Sequence, residues 1–169
     1  WGACGQTVCN DNLALGTTAG VRAAGDRNVM VGRASGRLVT GNDNLALGSN
    51  AGSNITANNT ISLGNAATAS ADSALAMGTG AQALGASSIA IGTGNVVSGA
   101  RSGALGDPSV INGADSYSVG NNNKIGSTTN NAFALGNNVY LGADAAGNDT
   151  ASVSGAVALG SNTRVTQPG

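Results

Sequence analysis

The sequence predicts an all-β solenoid, a chain wound into short coils that stack in parallel. Three observations lead there: a near absence of aromatic residues, a glycine-closed aliphatic motif recurring along the chain, and spacings between copies that are always even.

Of 169 residues only Trp1, Tyr117, Phe133 and Tyr140 are aromatic. A conventional globular core would be hard to build from such a chain. Ala is the largest single part of the apolar 41%, with Leu, Ile and Val scattered through it, and Gly, Asn, Ser and Thr fill much of the remainder. In random order this composition would describe disorder, because small side chains bury too little area to offset chain entropy. The order is what decides the matter.

The motif is two apolar residues flanking a small one, followed by Gly. It opens as Leu13-Ala14-Leu15-Gly16, Val29-Met30-Val31-Gly32, Leu45-Ala46-Leu47-Gly48, Ile61-Ser62-Leu63-Gly64 and Leu75-Ala76-Met77-Gly78. It continues as Ile89-Ala90-Ile91-Gly92, Gly103-Ala104-Leu105-Gly106, Tyr117-Ser118-Val119-Gly120, Phe133-Ala134-Leu135-Gly136 and Val157-Ala158-Leu159-Gly160, with only Gly103 breaking the apolar pattern. The closing glycines lie 16, 16, 16, 14, 14, 14, 14, 16 and 24 residues apart. Even steps keep each side chain on its own face of a strand.

Each copy reads as a short strand with period-two alternation, leaving into a turn where Gly takes positive φ. A second strand is expected after it. Its apolar side falls on the fifth position after the Gly, at Ala69, Ala83, Val97, Ile111, Ile125 and Leu141. Two strands of about five residues and two tight turns make one coil, and coils stacked at about 4.8 Å make a rod on the order of 50 Å long.

The middle position is Ala or Ser in nine of ten copies, Met30 being the exception, so something packs closely against it. The expectation is that the aliphatic faces of the two strands meet inside the roll and the Ala and Ser face receives neighbouring chains, with the opposite assignment open. A lone roll has a thin core and a second weakly apolar face, so its stability is expected to come with oligomerisation.

The units Asn12-Leu13-Ala14-Leu15-Gly16, Asn44-Leu45-Ala46-Leu47-Gly48, Ser88-Ile89-Ala90-Ile91-Gly92 and Ala132-Phe133-Ala134-Leu135-Gly136 resemble the head repeats of YadA-like trimeric autotransporter adhesins. The likeness spans residues 12–160. It implies a left-handed parallel β-roll assembled as a homotrimer, carried on the bacterial cell surface and anchored in the outer membrane by segments outside this chain. It also implies adhesion to host matrix proteins such as collagen, fibronectin and laminin, to host cell receptors or to abiotic surfaces, with autoagglutination and biofilm formation. Residues 161–169 read as the start of a connector toward a neck or stalk. The stretched unit before Gly160 and the three opening 16-residue units depart from the simplest pattern of the family.

Specific chemistry is sparse. Arg22, Arg27, Arg33 and Arg37 fall within 16 residues and form a candidate basic collar for acidic glycans, lipopolysaccharide or matrix proteins, partly neutralised by Asp26. The bland reading is a solvated surface. Residues 1–11 are expected to cap the first coil, with Cys4 and Cys9 as a disulfide within or between chains, since C-x4-C offers too few ligands for zinc; a ligand-binding tip is the alternative. Asn121-Asn122-Asn123 and Asn137-Asn138 are expected at turns, where Asn tolerates left-handed conformations and stacks into ladders.

The chain has no His and no Glu, and its eight Asp show no paired spacing or ligand-dense loop, so neither catalysis, a metal site nor a cofactor is expected. Gly78-Thr79-Gly80 and Gly92-Thr93-Gly94 look superficially like phosphate loops but precede no helix. Seven cations against eight acids leave no basis for nucleic-acid binding, and no apolar stretch is long enough to span a membrane. Hexapeptide acyltransferases also repeat an aliphatic unit, but in multiples of six and with a catalytic His. A Thr ladder for ice is absent. The competing function is a structural fibre or spacer module, of surface or phage origin, without a ligand of its own.

Overall fold

The computed structural model describes residues 10–166. Strands in it are short, three residues in one sheet and two in the other, and all pair in parallel.

The first sheet has ten strands: β1 (Leu13–Leu15), β2 (Val29–Val31), β3 (Leu45–Leu47), β4 (Ile61–Leu63), β6 (Leu75–Met77), β8 (Ile89–Ile91), β10 (Gly103–Leu105), β12 (Tyr117–Val119), β14 (Phe133–Leu135) and β16 (Val157–Leu159). These are the ten motif copies. The second sheet has seven: β5 (Thr68–Ala69), β7 (Gln82–Ala83), β9 (Val96–Val97), β11 (Val110–Ile111), β13 (Lys124–Ile125), β15 (Tyr140–Leu141) and β17 (Arg164–Val165). From β4 onward successive strands alternate between the sheets, one strand of each per coil, which makes a β-solenoid of about 9 turns, and no helix occurs among the described residues. In the opening 16-residue coils the second side is held only by single bridges, Ala24 to Thr40 and Thr40 to Thr56. The strands are shorter than the five residues expected because tight turns occupy most of each coil. Pairing also runs past Gly160, since β17 bonds to β15 within the segment expected to start a connector.

Even insertions hold the register. Leu13 pairs with Val29, Ala46 with Ser62 and Ile89 with Gly103, always at the same position of the motif. In 14-residue coils the buried second-side residue is the fifth after Gly, and Ala69, Ala83, Val97 and Ile111 are all 0% exposed. In the 16-residue opening coils it is the seventh, at Ala23, Val39 and Ile55, so their two extra residues lie in the first turn. The later insertions lie in the second turn, after Ile125 and after Leu141.

One expectation is overturned. The middle residues Ala46, Ser62, Ala76, Ala90, Ala104, Ser118, Ala134 and Ala158 are buried, and the flanking aliphatics Leu13, Leu47, Ile61, Leu105, Leu135 and Leu159 are exposed. The roll is so flat that a small side chain from the first sheet already meets the Val, Ile or Leu of the second. Two rows of branched aliphatics would not fit. Met30 is buried too, and its side chain takes the space that a Cβ at Gly36 would need.

The closing glycines are required twice over. At Gly64 φ is +128°, and a Cβ there would stand 2.7 Å from the carbonyl oxygen of Gly78 in the next coil. Inside the corners, polar ladders saturate the backbone. The Asn12 side chain accepts from the Asn28 N–H at 2.7 Å, Asn28 accepts from the Asn44 N–H at 3.0 Å, and Asn44 accepts from the Thr60 N–H at 3.0 Å. Their amides donate onward to the carbonyls of Gly25, Gly41 and Ala57. A second ladder runs from Asn95 through Ser109 and Asn123 to the Val139 N–H.

Candidate functional site

The four arginines divide. The first turn of each opening coil, at residues 16–23 and 32–39, carries Arg22, Arg33 and Arg37, all exposed. Arg27 lies on the second turn, at the opposite corner of the roll, where its guanidinium makes a bidentate pair with Asp43 one coil on, at 2.7 Å for each contact. Both partners are solvent-exposed, so the pair adds little to stability. The hydrogen bond from Arg27 holds the Asp43 carboxyl below its ordinary range, and the Arg27 pKa is raised in return, chiefly by the same bond. Arg101 and Asp115 repeat the arrangement farther along, with Nε to Oδ1 at 2.6 Å. Among the described residues these are the two ion pairs.

The collar is therefore not one site. The sequence shows four close arginines but not the corner each occupies, which the coil register alone fixes. Cys4 and Cys9 lie outside the described residues.

The larger surface is one that sequence reasoning assigned to the interior. Two side chains per coil stand outward from the first sheet in aligned rows, from Leu13 and Leu15, each more than half exposed, to Val157 and Leu159 at the other end. Side chains opposite one another in parallel strands lie one strand spacing apart, so the rows form a continuous aliphatic stripe about two side chains wide. Gly103 leaves a gap in it, filled by the ring of Tyr117 from the next coil: a Cβ at Gly103 would fall 2.6 Å from its Cε1. Phe133 stands beside Tyr117 on the next strand.

The stretched unit before Gly160 builds a surface loop that the spacing alone did not shape. Asp144 accepts from the backbone N–H of Ala146 and of Asn148 and from the Asn148 amide, each at 2.9 Å, and these bonds, the Asn148 amide first, hold its carboxyl below the usual range. Asp149 accepts from the N–H and hydroxyl of Ser127. Gly147 lies against the stem of Lys124, whose burial pushes its pKa down. Next to Lys124 on the sheet, the Tyr140 ring carries the Arg164 guanidinium 4.8 Å above its centre.

The described residues contain no group of three or more His, Cys or acidic side chains able to hold a metal ion, and no helix long and apolar enough to cross a membrane. Neither a protein-family model nor a curated protein matches this chain.

Proposed function

We propose that this chain is the head of a bacterial surface adhesin of the YadA-like trimeric autotransporter type, a left-handed roll that works as a homotrimer and attaches the cell to host matrix proteins, host cells or other surfaces. The observation that carries the reading is the aliphatic stripe on the first sheet. It runs the length of the solenoid, and contiguous apolar surface on that scale marks an interaction face.

A second copy of the same chain is the natural cover. Every coil presents the same pair of outward positions at the same spacing, aliphatic except at Gly103, Tyr117 and Phe133, so a copy lying parallel meets the same positions from end to end. Three rolls packed stripe to stripe about one axis would bury all three stripes and leave the second sheets and both sets of turns facing outward. Adhesion then follows from multiplicity. Each outward site appears three times per fibre and many fibres cover a cell, so weak individual contacts give firm attachment.

Sedimentation velocity of residues 1–169 tests the assembly. The expected species has three times the 16.1 kDa chain mass; a folded, stable monomer overturns the reading. The spacer alternative is separated by adhesion itself: cells carrying the fibre without residues 12–160 should lose attachment to matrix-coated surfaces.

A further inference from the structure

We infer that the first-turn arginines Arg22, Arg33 and Arg37, together with the exposed Val21 and Leu38, form a binding edge for an extended sulfated polysaccharide. The inference names a ligand class for the adhesive surface proposed above and rests on that reading for its setting.

Charge is sorted between the two corners of the roll. On the second turns, Arg27 feels Asp43, Asp26 and Asp11, and Asp72 follows two coils after Asp43. On the first turns of the same coils, residues 16–23, 32–39 and 48–55 contain three arginines and no acid. None of the three makes an ion pair among the described residues, whereas Arg27 does.

The backbone supplies an independent observation. Equivalent positions in successive opening coils are Arg22, Leu38 and Asn54, with φ of 59°, 60° and 58°. Asn is the relaxed choice for this left-handed conformation, and a long or γ-branched side chain there is held at a cost. At Asn54 the roll uses the relaxed residue; at the two preceding coils it carries a cation and an aliphatic, and Leu38 is 38% exposed, with Val21 beside Arg22 at 43%. The same conformation recurs at Arg27 and Arg101, where each guanidinium is paired with an Asp of the next coil, whereas Arg22 makes no ion pair among the described residues.

The shape of the edge selects the ligand. Arg33 and Arg37 lie on one coil and Arg22 on the coil before it, one strand spacing away, so the three cations gather in one patch on this edge. A polymer that carries several sulfate groups within a short length can engage all three at once. The guanidinium fork matches the paired oxygens of sulfate, and Val21 and Leu38 offer apolar contact to sugar C–H faces. The described aromatics, Tyr117, Phe133 and Tyr140, all lie in later coils, so the stacking platform of a single-stranded nucleic-acid site is missing at this edge.

The test is binding of the 169-residue chain to immobilised heparin and to desulfated heparin, with vesicles of phosphatidylserine and phosphatidylcholine as a further arm. Expected is salt-sensitive retention on heparin, lost on the desulfated polymer, weakened at least tenfold in the variant R22Q/R33Q/R37Q and changed less than twofold in Arg27→Gln. Arg22→Asn is the sharper variant: it should bind heparin several-fold more weakly while its melting midpoint stays level or rises. Retention unchanged in the triple variant, a fall in midpoint for Arg22→Asn with binding intact, or binding to the vesicles but not to heparin overturns the inference. Sedimentation of the same samples keeps the two readings apart. A trimer that ignores heparin removes this site alone, and a monomer whose heparin binding needs the three arginines removes the trimeric head alone.

Discussion

At the scale of single residues, the roll is governed by what each position leaves no room for. Gly64→Ala must put a Cβ against the Gly78 carbonyl at φ +128°, so it should cost about 3 kcal/mol and lower the denaturation midpoint accordingly. Gly80 also has positive φ, +65°, but nothing lies within 4 Å of its missing Cβ, so Gly80→Ala should cost only about 1 kcal/mol. Similar losses at both positions would mean that coil contact is not what demands the closing glycine. Ser88 makes the converse case. Its hydroxyl is the buried side-chain atom without a hydrogen-bond partner among the described residues, at a corner position that Ala74 and Ala132 fill in other coils. Ser88→Ala should therefore raise stability by about 1 kcal/mol in urea or thermal unfolding.

The element of this fold is the coil, and coils interact with their neighbours alone. Excising residues 79–92 joins Gly78 to Thr93-Gly94, the same local sequence as the original Thr79-Gly80, and removes one 14-residue turn without changing any face. Circular dichroism should keep its β signature, and the unfolding enthalpy should fall by roughly a tenth, since solenoid stability is a sum over repeats and their interfaces. Loss of cooperative folding would show that the coils are not interchangeable. The interior residues of each coil were readable in sequence, because the fifth position after Gly carries Ala, Val, Ile or Leu wherever the turn is short. In the three opening coils that position shifts to the seventh, and only the structure reveals which turn absorbed the extra residues.

For the whole molecule, the proposed assembly through the aliphatic stripe would tie stability to association. In the proposed homotrimer the melting midpoint should rise with protomer concentration. Ile91 lies mid-stripe between Met77 and Leu105 of the adjoining coils, at the same register position. Ile91→Asp would bring three like charges together in an apolar interface. Sedimentation should then shift to the monomer, with heat stability lost in parallel, whereas Arg101→Gln on the outer turn should leave both unchanged within error. A trimer that tolerates Ile91→Asp would place the contact face elsewhere.

What the sequence by itself determined was the repeat, its parallel stacking, the even register and, from Ala69 onward, the residues of the second side that face inward. All of these follow from local spacing, because period-two alternation and a turn glycine act within a few residues. The tertiary structure alone decided which side of the first sheet faces in. Leu-Ala-Leu alternates equally well either way, and the choice depends on the gap between two sheets whose residues are far apart in sequence. That gap admits Ala or Ser against Val, Ile or Leu, and so the larger side chains stand outside. For the same reason only the folded coil could separate Arg27, stacked on Asp43, from Arg22, Arg33 and Arg37 at the other corner.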